Sequence, residues 1–206
     1  MKPLLRFTFI SLASVIFGSA AMASTPKNSH SENLATAIFA GGCFWCMQPS
    51  FDATKGVTKT LVGYSGGDAK TATYDQVSSG RTEHLEAIEI TYDPSTVTYE
   101  TLLTTYLENI DPTQADGQFN DRGAHYQTAI FYADAAQKTA AEKALKAIAP
   151  KFAPAPIVVK LLPAKPFYAA EDYHQKYYEK NSVHYNAYKV GSGRAGYIKR
   201  TWGEKK

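Results

Sequence analysis

The sequence predicts an α+β sandwich, on three observations. Strand-like and helix-like periodicities alternate along the chain without a strict repeat, the longer helical stretches show one apolar face, and no Gly-rich phosphate loop follows a strand. A length of 206 residues, with 44% hydrophobic and 20% charged content, suits one ordinary domain with a full core.

At the N-terminus, Lys2 and Arg6 precede an apolar run from Phe7 to Phe17, and Ala21-Met22-Ala23 follows. That charged, apolar, small-residue order is a secretory signal, with cleavage expected after Ala23. The run is shorter than the roughly 20 residues a membrane span needs, so no stable membrane insertion is expected after cleavage. The predicted organisation is a signal over residues 1–23, a flexible polar segment over 24–33 and a single domain over 34–206, exported to a bacterial periplasm. The net charge is +3, of which Lys2 and Arg6 supply two, so the mature chain is nearly neutral and suggests no nucleic-acid partner.

Ala35 to Ala40 reads as the first strand. Gly41-Gly42 breaks it, and Cys43 to Asp52 can form a short helix, which puts the cysteines at a strand-to-helix turn. Leu61 to Tyr64 is a second strand ending at Ser65-Gly66-Gly67, and Glu86 to Tyr92 alternates as a third, closed by Pro94. Tyr99, Leu102, Leu103, Tyr106, Leu107 and Ile110 share one helical face, and Asp111-Pro112 stops that helix.

A polar loop from Thr113 to Ala124 leads to a strand over Tyr126 to Tyr132, after which Asp134 and Gln137 resemble a capping box. The helix that follows presents Ala141, Ala144, Leu145 and Ile148, and a Pro-punctuated link leads to a strand over Ile157 to Leu162. Ala170 to Lys180 is expected as the last helix, and Val190 to Lys206, rich in Gly and cations, as a surface wrap or a tail.

Two cysteines in an exported chain usually form a structural disulfide. Cys43 and Cys46 enclose so small a loop that a crosslink would remove little denatured-state entropy, which favours a redox or ligand role. A helix N-terminus stabilises thiolate, and Cys43 stands at one. Phe44 and Trp45 can wall a small substrate group or simply pack. Met47 follows Cys46 where a c-type haem site needs His, and structural zinc lacks a second Cys pair, with His174 and His184 too far apart for the usual His pair. General thiol-disulfide exchange and Cu(I) binding through Cys43, Cys46 and Met47 both fit.

Glu86 shares a strand face with Ile88, Ile90 and Tyr92, so its carboxyl either enters an apolar region, where desolvation keeps it protonated, or ends the strand in solvent. Tyr74, Asp121 and Tyr126 lie in or beside polar loops, where functional side chains concentrate, but with 14 tyrosines in the chain and an Asx turn open to Asp121, each also has a structural reading.

At Gly42-Cys43-Phe44-Trp45 the sequence resembles the peptide methionine sulfoxide reductase A family. The supporting segments are Gly63-Tyr64-Ser65-Gly66-Gly67, Tyr74 in a Tyr-x-x-Val-x-x-Gly pattern, His84-Leu85-Glu86, Asn120-Asp121-Arg122-Gly123, Tyr126 and Ala170-Glu171-Asp172-Tyr173-His174-Gln175. The resemblance implies a ferredoxin-like α/β plait, a two-layer sandwich with additional helices and a C-terminal wrap. It implies reduction of the S epimer of methionine sulfoxide in peptides and free methionine, as protein repair under oxidative stress, with no metal, nucleotide or other cofactor.

On the matching positions, the resemblance makes Cys43 the nucleophile and Glu86 the proton donor. Tyr74 and Tyr126 bind the sulfoxide oxygen, Asp121 orders the site, and Phe44 and Trp45 enclose the substrate's ε-methyl group. Two departures stand out. Many members have Gly at the position of Cys46 and resolve with a distant C-terminal cysteine, which this chain lacks, so Cys46 is expected to resolve the sulfenic acid and a thioredoxin-like donor to reduce the disulfide. Glu83 replaces the usual Gly before His84; its charge either raises the Glu86 pKa further or faces solvent.

Overall fold

A computed structural model describes residues 33–203. The expected secretory signal, all but the last residue of the 24–33 segment and the last three residues of the chain lie outside the described residues.

Eight strands and seven α-helices occur in this range. The strands are β1 (Ala35–Gly41), β2 (Val57–Ser65), β3 (Leu85–Tyr92), β4 (Gly117–Gln118), β5 (Asp121–Arg122), β6 (Thr128–Tyr132), β7 (Lys160–Pro163) and β8 (Phe167–Ala169). The helices are α1 (Phe44–Asp52), α2 (Tyr74–Ser78), α3 (Tyr99–Leu107), α4 (Ala135–Phe152), α5 (Tyr177–Lys180), α6 (Ser182–Gly191) and α7 (Arg194–Trp202). Six strands form one mixed sheet in the order β7-β6-β1-β3-β2-β8, antiparallel except for β6 and β7. β4 and β5 pair as a small separate hairpin inside the loop expected over Thr113 to Ala124.

Alternation along β1 and β3 divides the core. Ala37 and Phe39 of β1, with Ile88 and Ile90 of β3, face the main cluster, to which α3 supplies Leu102, Leu103 and Tyr106 and α4 supplies Ala141, with Ala144, Leu145 and Ile148 packed against it. Ile38, Ala40 and Ala87 face the other side with Phe131. The strand-like and helix-like faces read from the sequence are therefore the buried ones. Tyr106 matters for position: its ring stacks 4.9 Å from Phe39, and its hydroxyl donates to the Ala40 carbonyl at 2.8 Å, pinning the end of β1 just before the Gly41-Gly42 turn. The cap at α4 also forms, with the Asp134 side chain accepting the Gln137 N–H at 2.8 Å, while the Gln137 amide accepts the Ala133 N–H at 3.0 Å. Such caps stabilise by about 1 kcal/mol.

Several boundaries differ from expectation. β2 begins at Val57, four residues early, because it pairs with β3 as far as Val57 opposite Tyr92; the part that β8 leaves uncovered is an edge carrying the polar Thr58 and Lys59, which an apolar pattern does not mark. Tyr126 lies in a 3-10 turn, Ala124–Tyr126, rather than in a strand. β7 begins three residues late, since Val158 N–H goes to the Pro112 carbonyl at 2.8 Å instead of to a ladder.

The expected helix over Ala170 to Lys180 is absent as such: only α5, four residues long, is helical there. The Gln175 amide accounts for this by imitating a strand. Its oxygen accepts the Val62 N–H at 3.0 Å and its nitrogen donates to the Val62 carbonyl at 2.8 Å, while Lys176 turns left-handed at φ 52. The C-terminal region, expected as an ordered surface wrap or a tail, is mostly helical among the described residues, for α7 covers Arg194–Trp202. No helix among the described residues is long and apolar enough to cross a membrane.

Candidate active site

The site begins at the glycine turn. Gly42 has φ +75, and a Cβ there would lie 2.5 Å from the Gln118 Cβ and 2.9 Å from Arg194 Nη2, so both its conformation and its surroundings demand glycine. The turn delivers Cys43 as the N-cap of α1, and Cys46 follows one turn later, its N–H donating to the Cys43 carbonyl at 3.1 Å. Both thiols are free and buried.

Glu86 reaches the same place from β3, where it pairs with Tyr64 of β2. It lies on the apolar face, as alternation required, and is 2% exposed. Its Oε2 accepts the Phe44 N–H, the first of the helix, at 3.0 Å. Desolvation pushes the carboxyl up to about 8; the Phe44 N–H opposes this and the Asp121 carboxylate adds to it. The group therefore holds a proton at neutral pH, and with Oε2 accepting, Oε1 is the oxygen free to donate.

The thiols revise one expectation. Glu86 takes the first helical N–H, so the helix terminus does not hold Cys43 as a thiolate. Burial pushes the Cys43 thiol well up, reinforced by Cys46, while Cys46 is lowered by its hydrogen bond from Cys43 and then, against its own burial, by the charge of Arg194. Of the two thiols, Cys46 is the one whose ionised form its surroundings favour.

A cavity of about 260 Å³ opens over these groups. Cys43, Phe44, Trp45 and Glu86 line it together with Tyr74, Asp121 and Tyr126, so seven of the eight expected site residues converge there. Cys46, the eighth, is buried off the cavity lining. A larger space of about 330 Å³ bordered by Ser50, Asn109 and Lys189 carries none of these reactive groups.

The aromatic walls are fixed. Trp45 stacks on Tyr177 at 3.8 Å and 6°, and its indole N–H donates to His174 Nδ1 at 3.0 Å. Burial lowers the His174 pKa, which keeps the ring neutral and able to accept that bond. Glu171 ties the Tyr74 wall to β2, accepting the Tyr64 hydroxyl at 2.8 Å and the Tyr74 N–H at 2.9 Å. Burial raises both Tyr74 and Tyr126, so their phenols stay protonated donors.

Two lining residues escaped the sequence reading, His184 and Tyr188, both on α6. Tyr188 donates to Asp121 Oδ2 at 2.6 Å, and its oxygen is a hydrogen-bond partner of the Cys43 thiol. The pair is spaced i, i+4, so it shares a helical face. That spacing was the available signal, but the last helix was expected to end at Lys180, and one tyrosine among 14 does not stand out.

The family model for peptide methionine sulfoxide reductase matches residues 35–206. The peptide methionine sulfoxide reductase MsrA of Bacillus subtilis (strain 168) is 48% identical over 176 residues, covering 85% of this chain and 99% of its own. The chain belongs to the peptide methionine sulfoxide reductase family. Among solved structures, methionine sulfoxide reductase A of Corynebacterium diphtheriae superposes with a TM-score of 0.69 at 37% identity, over 73% of this chain and 76% of that one. The reduced form of Mxr1 from Saccharomyces cerevisiae gives a TM-score of 0.69 at 27% identity, over 72% and 86% of the two chains. These neighbours share the mixed α+β architecture.

Two residues raised by the sequence, Glu83 and Met47, can now be placed. The Glu83 side chain is 84% exposed, with Lys165 Nζ at 3.8 Å, so it faces solvent rather than the cavity. Met47, the third sulfur of a copper reading, packs into the main core, and its Sδ accepts from Arg194 Nη1 at 3.6 Å. A cation held there would sit against a guanidinium. Among the described residues no group of three or more His, Cys, Asp and Glu is arranged to hold a metal ion.

Proposed function

We propose that this chain reduces the S epimer of methionine sulfoxide, in peptides and as the free amino acid, with Cys43 as nucleophile and Glu86 as proton donor. The observation that carries the reading is the buried Glu86 carboxyl, raised to about 8 and lining one cavity with Cys43. A sulfoxide oxygen leaves its sulfur only as it gains a proton, and a donor that keeps its proton at neutral pH suits that task. Tyr74 and Tyr126 hydrogen-bond the oxygen, Asp121 orders the site through Tyr188, and Phe44 and Trp45 enclose the ε-methyl group.

In the first step the Cys43 sulfur attacks the sulfoxide sulfur as the oxygen takes a proton from Glu86, and the thiol proton restores the acid. The oxygen passes to Cys43, giving a sulfenic acid and releasing the thioether, with no net proton consumed. Cys46 then attacks the Cys43 sulfur; an S–S bond forms, the S–O bond breaks and water leaves. A thioredoxin-like dithiol returns the pair to the reduced state.

The order β6-β1-β3-β2, with α1 and α3 as the two crossing helices, supports reading the centre of the fold as a ferredoxin-like plait elaborated by β7, β8 and the C-terminal helices. We read residues 34–206 as one catalytic domain and residues 1–23 as a cleaved export signal, which places the mature protein in the periplasm. The N-terminal sequence of protein recovered from that compartment tests this, and a chain beginning at Ser24 is expected.

The deciding experiment is mass spectrometry of a methionine-sulfoxide peptide and the protein after one turnover without reductant. Reduced peptide and a Cys43–Cys46 disulfide are expected. Peptide left oxidised by demonstrably reduced protein overturns the reading.

A further inference from the structure

Arg194 is an anomaly outside the catalytic scheme. It is 0% exposed, yet its guanidinium meets carbonyls and a thioether instead of a carboxylate. Nη1 donates to the Asn109 carbonyl at 2.6 Å and to Met47 Sδ at 3.6 Å, Nη2 donates to the Gly41 carbonyl at 2.9 Å, and Nε has no partner. The Phe119 ring closes the stack, 4.6 Å from the guanidinium carbon. A buried cation without an anion costs stability, so its retention calls for a reason. Its contacts bracket the cysteine motif: Gly41 precedes Cys43, Met47 follows Cys46, and a Cβ on Gly42 would strike Nη2. No carboxylate is among its hydrogen-bond partners, and the motif that it brackets holds two free thiols.

We propose that Arg194 is a positioning residue that holds Cys46 as the thiolate of the cycle, so that the dithiol donor attacks Cys43 and expels Cys46. The inference rests on Cys46 being the resolving thiol. Accessibility gives the same polarity, since Cys43 lines the cavity and Cys46 does not. A donor thiolate bonds to the Cys43 sulfur, the Cys43–Cys46 bond breaks, and its electron pair leaves on Cys46, within the motif that the guanidinium brackets through Gly41 and Met47. The donor's second thiolate then attacks its own sulfur in the mixed disulfide, releasing Cys43. The donor ends as a disulfide, and both chain cysteines are reduced and reprotonated. A leaving thiol of lower pKa departs faster, so the charge favours this direction.

The other ionisable groups acting on Cys46 are Cys43 on its own element, Asp121 on β5 and Lys189 on α6; Tyr185 and Glu86 also couple to it. Asp121 opposes the lowering and Lys189 assists it more weakly than Arg194.

The test has two parts. The wild-type disulfide form is mixed with a thioredoxin whose second cysteine is Ser, and the trapped mixed disulfide is mapped by fragmentation. Attachment at Cys43 is expected, and attachment at Cys46 overturns the proposal. Failure of any Cys43–Cys46 disulfide to form would instead defeat the reading of Cys46 beneath it. In the second part, thiolate absorbance is titrated in Cys43→Ser with Arg194, Arg194→Lys or Arg194→Gln. The Gln form should raise the Cys46 pKa by about one unit or more, with Lys restoring most of it, and in the Cys43-containing enzyme Gln should slow disulfide closure about three- to tenfold at pH 7. An unmoved Cys46 titration in a folded Gln variant overturns the proposal, as does a Lys variant no better than Gln. Should the Gln form fail to fold, Arg194→Met takes its place in the titration, with the same outcomes.

Discussion

Cys43 and Glu86 are carried by β1–α1 and β3, whose strands form a ladder running from Ala35 opposite Tyr92 to Ala40 opposite Ala87. Tyr188 and Arg194 come to the same motif from α6 and α7, which are held by scattered bonds: the Asn120 N–H to Ser192 and its amide to Gly191, at 3.2 and 3.0 Å, and Arg194 itself to Gly41 and Asn109. The sheet half fixes its reactive atoms through many equivalent backbone bonds and buried apolar faces. The C-terminal half fixes its own through a few side chains, each with a distinct partner. Substitutions in the first half should therefore remove the reaction, and substitutions in the second should detune or loosen it.

The largest effects belong to the sheet half. Cys43→Ser removes the nucleophile and should lower kcat/KM by at least about a thousandfold. Glu86→Gln should cost about a hundred- to ten-thousandfold, the range for a lost general acid. It also carries a signed pH test. Below about 4.5, the ordinary value, Glu86 is protonated in both the folded and the unfolded chain and contributes nothing; above that, the unfolded chain loses the proton while the folded one keeps it up to about 8. Folding stability thus falls as pH rises through that window, and the full penalty is present above it. Glu86→Gln should gain on wild type in chemical denaturation between about pH 5 and 8, by up to a few kcal/mol, and then level off. Wild-type activity, which needs the acid form, should decline above about pH 8. A constant stability difference across the window would show that Glu86 is not raised.

Next in size is Gln175→Ala, which acts on stability. Its amide supplies the strand-like pair to Val62 and a further bond to the Ala170 carbonyl at 3.0 Å, so truncation leaves part-buried backbone groups unmatched. A loss of about 1–3 kcal/mol is expected in denaturant unfolding. Sulfoxide reduction in the folded fraction should change much less, because Gln175 touches none of the cavity groups.

Tyr188→Phe should be smaller again in free energy. It removes the hydroxyl shared between Asp121 and Cys43 while keeping the ring. One neutral-to-charged hydrogen bond is worth about 1.5–3 kcal/mol at most, and Asp121 is only part-buried, so a drop in kcat of about tenfold with little change in unfolding is expected.

The same contrast explains what could be read in the sequence. Period-two alternation put Glu86 on the face of Ile88 and Ile90, and the Gly41-Gly42 break placed Cys43 at a helix start; each is a local rule with a backbone cause. The opposite directions in which Cys43 and Cys46 are shifted were not legible, because they depend on a hydrogen bond between the thiols and on a guanidinium 148 residues beyond Cys46 in the sequence. The Ala170–Lys180 segment misled for a related reason. Its composition permits a helix, but the Gln175 amide and a left-handed Lys176 commit it to a turn, and nothing local to the segment announces Val62 as the partner. Family resemblance located Tyr74, Asp121 and Tyr126, which periodicity alone left as ordinary loop residues.

Glu83 provides the smallest predicted effect and a check on distance. It stands three residues before Glu86, yet the two differ in kind. Glu86 is on the ladder, facing the core; Glu83 precedes β3, 84% exposed, with Lys165 at 3.8 Å. A solvated carboxylate with a nearby cation exerts little field on a buried acid, because water and counterions screen it within about 10 Å. Glu83→Gly should therefore leave the pH profile of sulfoxide reduction, and the decline above about pH 8, where they are in wild type. The exposed pair with Lys165 is worth at most about 1 kcal/mol, so unfolding should barely move. An upper limb of the profile displaced by half a unit or more would mean that this charge does act on Glu86, and that position along the chain, rather than burial on the ladder, governs the site's acidity.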